Sequence, residues 1–150
     1  MRVVRFVPKP NSDLVSGLGS DPLFGVIEDD HQTISVINGD PLFNGIAKNV
    51  AASVSVPTAS TVTAYEWNHN GFTSGKFTVK VAAGTHTELS EVLVTSDTSN
   101  NIHFTEYGMV GTNGSLSTIS ADFNNNKIRI RVTTVNNNST VVVAGTLIGA

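Results

Sequence analysis

Histidines and clustered acids are the first groups in this sequence that could perform chemistry. The four histidines, at positions 31, 69, 86 and 103, lack both the i, i+4 spacing of a zinc-binding helix and a zinc-finger spacing, and the chain has no cysteine. The run EDDH from Glu28 to His31 could form a surface cation site, or a solvated acidic loop. We therefore predict neither a metal nor a cofactor.

Acids further along the chain are the second candidates, because glycoside cleavage needs two carboxylates held a few Å apart. No pair among them is distinguished by its spacing, and the chain has no Gly-x-Ser-x-Gly motif for a serine nucleophile. The acids considered are Glu66, Glu88, Glu91, Asp97, Glu106 and Asp122. We predict no catalytic residue and expect a protein that is not an enzyme.

The segment YEWNHNGF, which begins at Tyr65, places three aromatic side chains beside Asn and His. Such a composition is typical of a platform on which a sugar ring stacks, and it predicts a possible glycan platform of Tyr65, Trp67 and His69. The same composition is found where the end of a strand packs into a core. Both interpretations remain open from the sequence.

Three cations alternate with aliphatic residues at Lys127, Arg129 and Arg131. This row could bind nucleic acid or lipopolysaccharide, or it could pair with acids on adjacent strands, for which Glu106 and Asp122 are the candidates. The chain has a net charge of -3 and no larger cluster of cations, which is unfavourable for binding a phosphate backbone. We expect no nucleic-acid partner.

These residues must be positioned by strands, because the composition favours an all-β protein. Only 14% of residues are charged, and Thr, Val, Asn and 13 Gly are abundant, as expected for pleated strands joined by tight turns. Alternating segments bounded by turn residues predict seven strands, at 61–67, 75–81, 88–95, 102–107, 116–123, 127–132 and 140–148. We predict that residues 59–150 form an antiparallel β-sandwich or jelly-roll-like domain.

The first 58 residues differ from the rest in containing all five prolines and a repeat, SDPLFG at Ser20 and GDPLFNG at Gly39. A repeat unit this short cannot bury its own aromatic face, so it needs a neighbouring unit or chain. We predict an extended or β-prism-like module that anchors the protein and closes a homotrimer; two unrelated turns within one domain are the alternative. The residues expected to anchor or oligomerise are Val3, Val4, Phe6, Pro22, Phe24, Pro41 and Phe43.

No apolar run approaches the roughly 20 residues of a membrane span, and the segment MRVVRFV is too short for a signal peptide. We therefore expect no membrane partner. Main-chain pairing could instead let MRVVRFV add a strand to the sheet edge of another protein.

From Ser90 onwards the sequence contains, in this order, TEYG at Thr105, ADF followed by an Asn turn at Ala121, an alternating strand from Lys127, and TLI at Thr146. In this order the segment resembles a β-domain that recurs in virion proteins of tailed phages, notably marine and cyanobacterial ones. LGSDPLFGVI at Leu18 is similar to text in phage fibres, which are usually trimers. The resemblance implies a structural role in the particle. Within TEYG, it implies that Glu106 fixes a turn through hydrogen bonds and that Gly108 relieves a bend in the backbone.

The resemblance leads us to expect a non-enzymatic virion protein, assembled in the bacterial host cytoplasm. A capsid decoration protein, of the cement or head-fibre type, is the first expectation. The alternative is a tail or baseplate fibre-associated protein with a receptor- or glycan-binding β-domain. The expected partners are the phage major capsid protein, or tail and baseplate proteins.

Overall fold

The computed structural model describes residues 26–27, 33–37 and 40–149. Of the predicted anchoring residues, Val3, Val4, Phe6, Pro22 and Phe24 lie outside these ranges. The described residues form eleven strands and no helix. The strands are β1 (Val26–Ile27), β2 (Thr33–Ile37), β3 (Asp40–Phe43), β4 (Ala47–Val56), β5 (Thr61–Asn68), β6 (Ser74–Ala83), β7 (His86–Ser96), β8 (Ile102–Gly111), β9 (Ser117–Asn124), β10 (Lys127–Thr134) and β11 (Ser139–Ile148).

The strands form two antiparallel sheets that face each other as a β-sandwich. The larger sheet has the order β1-β2-β3-β4-β11-β6-β7-β8, and the smaller has the order β5-β10-β9. The all-β sandwich predicted from the sequence is confirmed. The seven strands predicted after residue 60 correspond one to one with β5 to β11.

The core lies between the sheets because each strand turns alternate residues inward. In β10, Ile128, Ile130 and Val132 are fully buried, while the three cations that alternate with them lie on the outer face. On the larger sheet, Phe77 of β6 is buried against them in the same apolar cluster. Burial of each of these side chains contributes roughly 1.5–3 kcal/mol.

Asparagines and glycines close the hairpins, because only a left-handed backbone matches the twist of the flanking strands. Asn125 and Asn126 join β9 to β10 with φ of 49° and 61°, so the predicted Asn turn at this position is confirmed. Asn44 and Gly45 join β3 to β4 in the same way, with φ of 50° and 72°.

The second copy of the repeat forms β3, which contains Pro41 and Phe43, and the turn that follows it. β4 then pairs with β11 from Ala47 to Val56 along its whole length. The predicted boundary at residue 58 falls in the loop between β4 and β5. Because β4 pairs with β11, the larger sheet of the sandwich includes a strand that the sequence analysis placed in the N-terminal module.

Candidate assembly surface

Trp67, the centre of the predicted glycan platform, lies in the core. It is only 5% exposed, its ring centroid is 5.3 Å from that of Phe77, and it stacks on Tyr65 at 6.0 Å. The indole Nε1–H donates a hydrogen bond to the carbonyl of Phe72 at 2.9 Å. With both sides of the indole covered by protein, these residues do not present an open stacking surface.

Tyr65 and His69 are also partly enclosed. Burial, and to a lesser extent the nearby carboxylate of Asp40, raises the pKa of Tyr65 to about 12. His69 meets the ring of Phe123 edge-on, with centroids 5.5 Å apart and planes at 88°. Its Nε2 is buried without a hydrogen-bond partner among the described residues. The structure thus places all three predicted platform residues at the end of the core.

The predicted row of cations is neutralised by strands next to β10. Arg129 forms a two-pronged ion pair with Asp122 of β9, and Lys127 pairs with Glu66 of β5. Arg131 donates a hydrogen bond to the Thr63 hydroxyl at 3.1 Å. These partners hold the row within the protein's own sheet and satisfy most of its charge.

The prediction that Asp122 pairs with this row is confirmed, whereas the same prediction for Glu106 is wrong. Glu106 lies on β8 in the other sheet, so it cannot lie beside β10. Glu66 could not be identified in advance, because β5 and β10 are distant in sequence and nothing in the local pattern shows that they pair.

Other acids have structural partners too. Glu88 is buried, and its carboxylate accepts hydrogen bonds from the Leu116 amide at 2.7 Å and the Ser117 hydroxyl at 2.6 Å. Asp97 accepts from the Ser99 and Asn101 amides, and the hydrogen bonds from Asn101 are the main cause of its lowered pKa. Within the described ranges, no group of three His, Asp or Glu side chains is arranged to hold a metal ion.

The most exposed apolar surface lies along β8, the last strand of the larger sheet. β8 pairs with β7 on one side, and no strand of the described residues pairs with its other edge. Tyr107, Met109 and Val110 are 48%, 58% and 67% exposed. We call Glu106, Tyr107, Met109 and Val110 the β8 edge surface.

TEYG, which was predicted to form a turn, lies inside β8 instead. The pairing register shifts where Glu91 and Val92 oppose Gly108 and Glu106, so Tyr107 is the extra residue of a bulge. The side chain of Glu106 makes no hydrogen bond or ion pair with another described residue, so the predicted fixing of a turn by Glu106 is wrong. A strand exposed on both faces gives no alternating pattern, which is why sequence reasoning missed this surface.

The apolar surface continues from β8 onto the outer face of β7. Leu89 lies directly opposite Val110, and Leu93 is also exposed two rows away. Between them, Lys76 Nζ lies 3.6 Å from a Glu91 carboxylate oxygen and 5.7 Å from the centre of the Tyr107 ring. A mixed apolar and charged surface of this kind is suited to contact with another protein.

An open groove of about 410 Å³ lies at the other end of the same outer face. Its walls include the exposed side chains of Leu93 and Ile148, together with Lys76, His103 and Thr105. The groove shares Leu93 and Lys76 with the surface beside β8. One face of the larger sheet therefore offers a continuous contact area.

No protein-family model and no curated protein matches this chain. Among solved structures, the chain is similar to the tailspike protein of Acinetobacter baumannii phage AM24, with a TM-score of 0.48 and 6% sequence identity. The match covers 71% of this chain and 27% of the tailspike, so the chain spans about a quarter of that protein's length. At this level of similarity, nothing about the function of the chain follows.

Proposed function

We propose that the chain is a non-enzymatic structural protein of a tailed-phage particle, of the capsid decoration type. It would act as a homo-oligomer that attaches to the major capsid protein and adds an exposed β-sandwich to the shell. The observation that carries the proposal is the β8 edge surface, an open sheet edge with large apolar side chains next to it. A long, unprotected edge of this kind favours assembly with another chain.

The order of the phage-like sequence elements also supports this role. TEYG lies on β8, the Asn turn after ADF closes the hairpin of β9 and β10, and TLI lies on β11. Each element occupies a position that builds the sandwich.

The arrangement of the acids gives further support to a non-enzymatic role. Glu88, Asp97 and Asp122 are held by hydrogen bonds and an ion pair within the fold. A catalytic pair needs carboxylates that face a substrate cleft. We expect the purified protein to release no reducing ends from host envelope material; release above that of a heat-denatured sample would contradict the proposal.

Immunogold electron microscopy of purified virions, with antibody against the recombinant protein, tests the proposed location. Gold distributed over the heads is the expected result. Gold confined to the tail would replace decoration with the tail or baseplate alternative, and the absence of gold from virions would overturn a virion role altogether.

Attachment is tested separately by deleting residues 1–7. We expect the truncated protein to keep the circular dichroism spectrum and Tm of the full chain, because the described core is built from residues 50–147. Its binding to particles should fall, because these residues are expected to anchor and oligomerise the chain and avidity would be lost with them. Unchanged binding of the folded, truncated protein would contradict the anchoring role.

A further inference from the structure

We propose that the β8 edge surface binds residues Val3–Val7 of a second copy of this chain, which adds to β8 as a further strand. The association does not depend on a place in a phage particle, because it concerns contacts between copies of one chain. The edge, the chemistry of the segment and its reach each support it.

β8 is ten residues long, and among residues 26–27, 33–37 and 40–149 no strand pairs with its outer edge. An added strand would use backbone groups of β8 that do not face β7, and main-chain hydrogen bonds would supply affinity. Natural proteins usually protect such an edge with Lys, Pro or a very short strand. β8 has no Lys or Pro, and its main irregularity is the bulge at Tyr107.

The chemistry of this edge calls for an apolar segment with a positive charge. Met109 and Val110 are more than half exposed, and they would bury apolar area under an added strand. Glu106 is exposed on the same face of β8 as Met109, and it has no cation within ion-pair distance among the described residues. An added strand that carried an Arg would supply the missing opposite charge.

The N-terminal segment of the chain has this chemistry. Residues 1–9 contain Arg2, Arg5 and Lys9 and no acid, and the four other residues of Val3–Val7 besides Arg5 are Val or Phe. Because Arg2 and Arg5 are three positions apart, an extended segment turns them to opposite faces. One of them therefore shares a face with Glu106 in either orientation of the strand.

β1 and β8 of one chain lie at opposite ends of the larger sheet, seven strand spacings or about 34 Å apart. A neighbouring copy can present its β8 edge directly beside β1, which is closer to the N-terminal segment than the chain's own β8. Residues 8–25, which join Val7 to β1, span at most about 60 Å when extended, so they can reach such a copy. Repetition of this head-to-tail contact gives a closed ring or an open filament, depending on the rotation between copies.

Single-cysteine variants of the full chain test the contact, because the natural sequence has no cysteine. We would mix Val4→Cys protein with Val110→Cys protein and treat the mixture with a short bis-maleimide crosslinker. Mass spectrometry should find a peptide linking position 4 to position 110, which in this mixture can form only between two chains. The crosslink should disappear when residues 3–7 outside position 4 are replaced by Ser and Gly.

A matched control uses Ser120→Cys in place of Val110→Cys. Ser120 is exposed on β9, an edge strand of the smaller sheet, so it presents an accessible thiol on an edge of different chemistry. Crosslinks to position 120 as abundant as those to position 110 would overturn the proposal. So would the absence of the link to position 110 in folded protein, or its formation only within single chains of a double-cysteine variant.

Exchange of charges provides an independent test. We expect Glu106→Lys, or Arg2→Glu with Arg5→Glu, to raise the dissociation constant of the oligomer about two- to fivefold, the range of exposed ion pairs. The combination of all three should restore association. Sedimentation equilibrium would measure this, and equal constants for all variants would contradict a role for Glu106.

Discussion

The guanidinium of Arg129 forms two parallel hydrogen bonds to the carboxylate of Asp122, which lies directly opposite across β9 and β10. The bonds from Nε to Oδ1 and from an Nη to Oδ2 are both 2.7 Å long. Two parallel, charge-assisted hydrogen bonds of this kind are stronger than a hydrogen bond between neutral groups. The hydrogen bonds from Arg129 hold the pKa of Asp122 below its ordinary value.

Asp122→Asn should therefore lower Tm by a few degrees at pH 7. Because the folded-state pKa of Asp122 is lowered, its contribution to stability is present above the unfolded value of about 3.9 and is lost as the pH falls through the folded value. The difference in Tm between wild type and variant should vanish near pH 2. Thr118→Ala changes an exposed, uncharged residue of the same strand, so it should leave the pH dependence of Tm unchanged; an equal effect would contradict the assignment.

Trp67→Ala should cost about 3–5 kcal/mol of unfolding free energy, because it empties a large volume between the sheets. Trp67→Phe should cost less, although the Phe72 carbonyl loses its hydrogen bond. Urea denaturation followed by circular dichroism would measure both. Since Trp67 is the single tryptophan, wild-type fluorescence should shift to longer wavelength on unfolding; a solvent-exposed spectrum in the native state would contradict its burial.

Tyr65 should ionise about two pH units above an ordinary tyrosine, since burial raises its pKa to about 12. The folded state favours the protonated phenol, so its contribution to stability is complete below pH 10 and is lost as the pH rises towards 12. Ultraviolet titration should show a late phenolate step, which we assign to Tyr65. Tyr65→Phe should remove the late ionisation step. If Tyr107→Phe removed that step instead, the assignment of the raised pKa to Tyr65 would be wrong.

Gly145→Ala should unfold the sandwich or destabilise it by several kcal/mol. A Cβ at this position of β11 would overlap the Lys76 carbonyl oxygen and the Phe77 ring, in a sheet interior that cannot move aside. Gly108→Ala is the matched control, because the space around that strand glycine is open and its φ is not positive. Thermal unfolding would compare the two, and similar Tm values would show that β11 and β6 can separate locally.

Local patterns were sufficient to predict the strands but not their neighbours. The alternation from Lys127 to Val132 directly specifies one buried and one solvent face, so β10 and its inward residues could be predicted. The pairing of Arg129 with Asp122 followed from a short hairpin. The contact of Lys127 with Glu66 depends on two strands far apart in sequence, for which a local pattern carries no information.

The candidate site was less predictable than the fold. Aromatic residues beside Asn and His suit a sugar platform as well as a core, and only the position of β5 over β6 assigns Trp67 to the core. The apolar residues of β8 look like core residues in the sequence. Their exposure follows from β8 being the last strand of its sheet, which is a property of the whole topology.

The position of β11 between β4 and β6 also determines when the protein can fold. β11 is the last described strand along the chain, yet it is paired on both sides in the larger sheet. While the ribosome is still making the chain, the edges of β4 and β6 that pair with β11 stay unpaired until β11 emerges. Such long-range pairing slows folding and leaves partly folded intermediates prone to aggregation. Cells that overproduce the protein should therefore need chaperone capacity until β11 has left the ribosome.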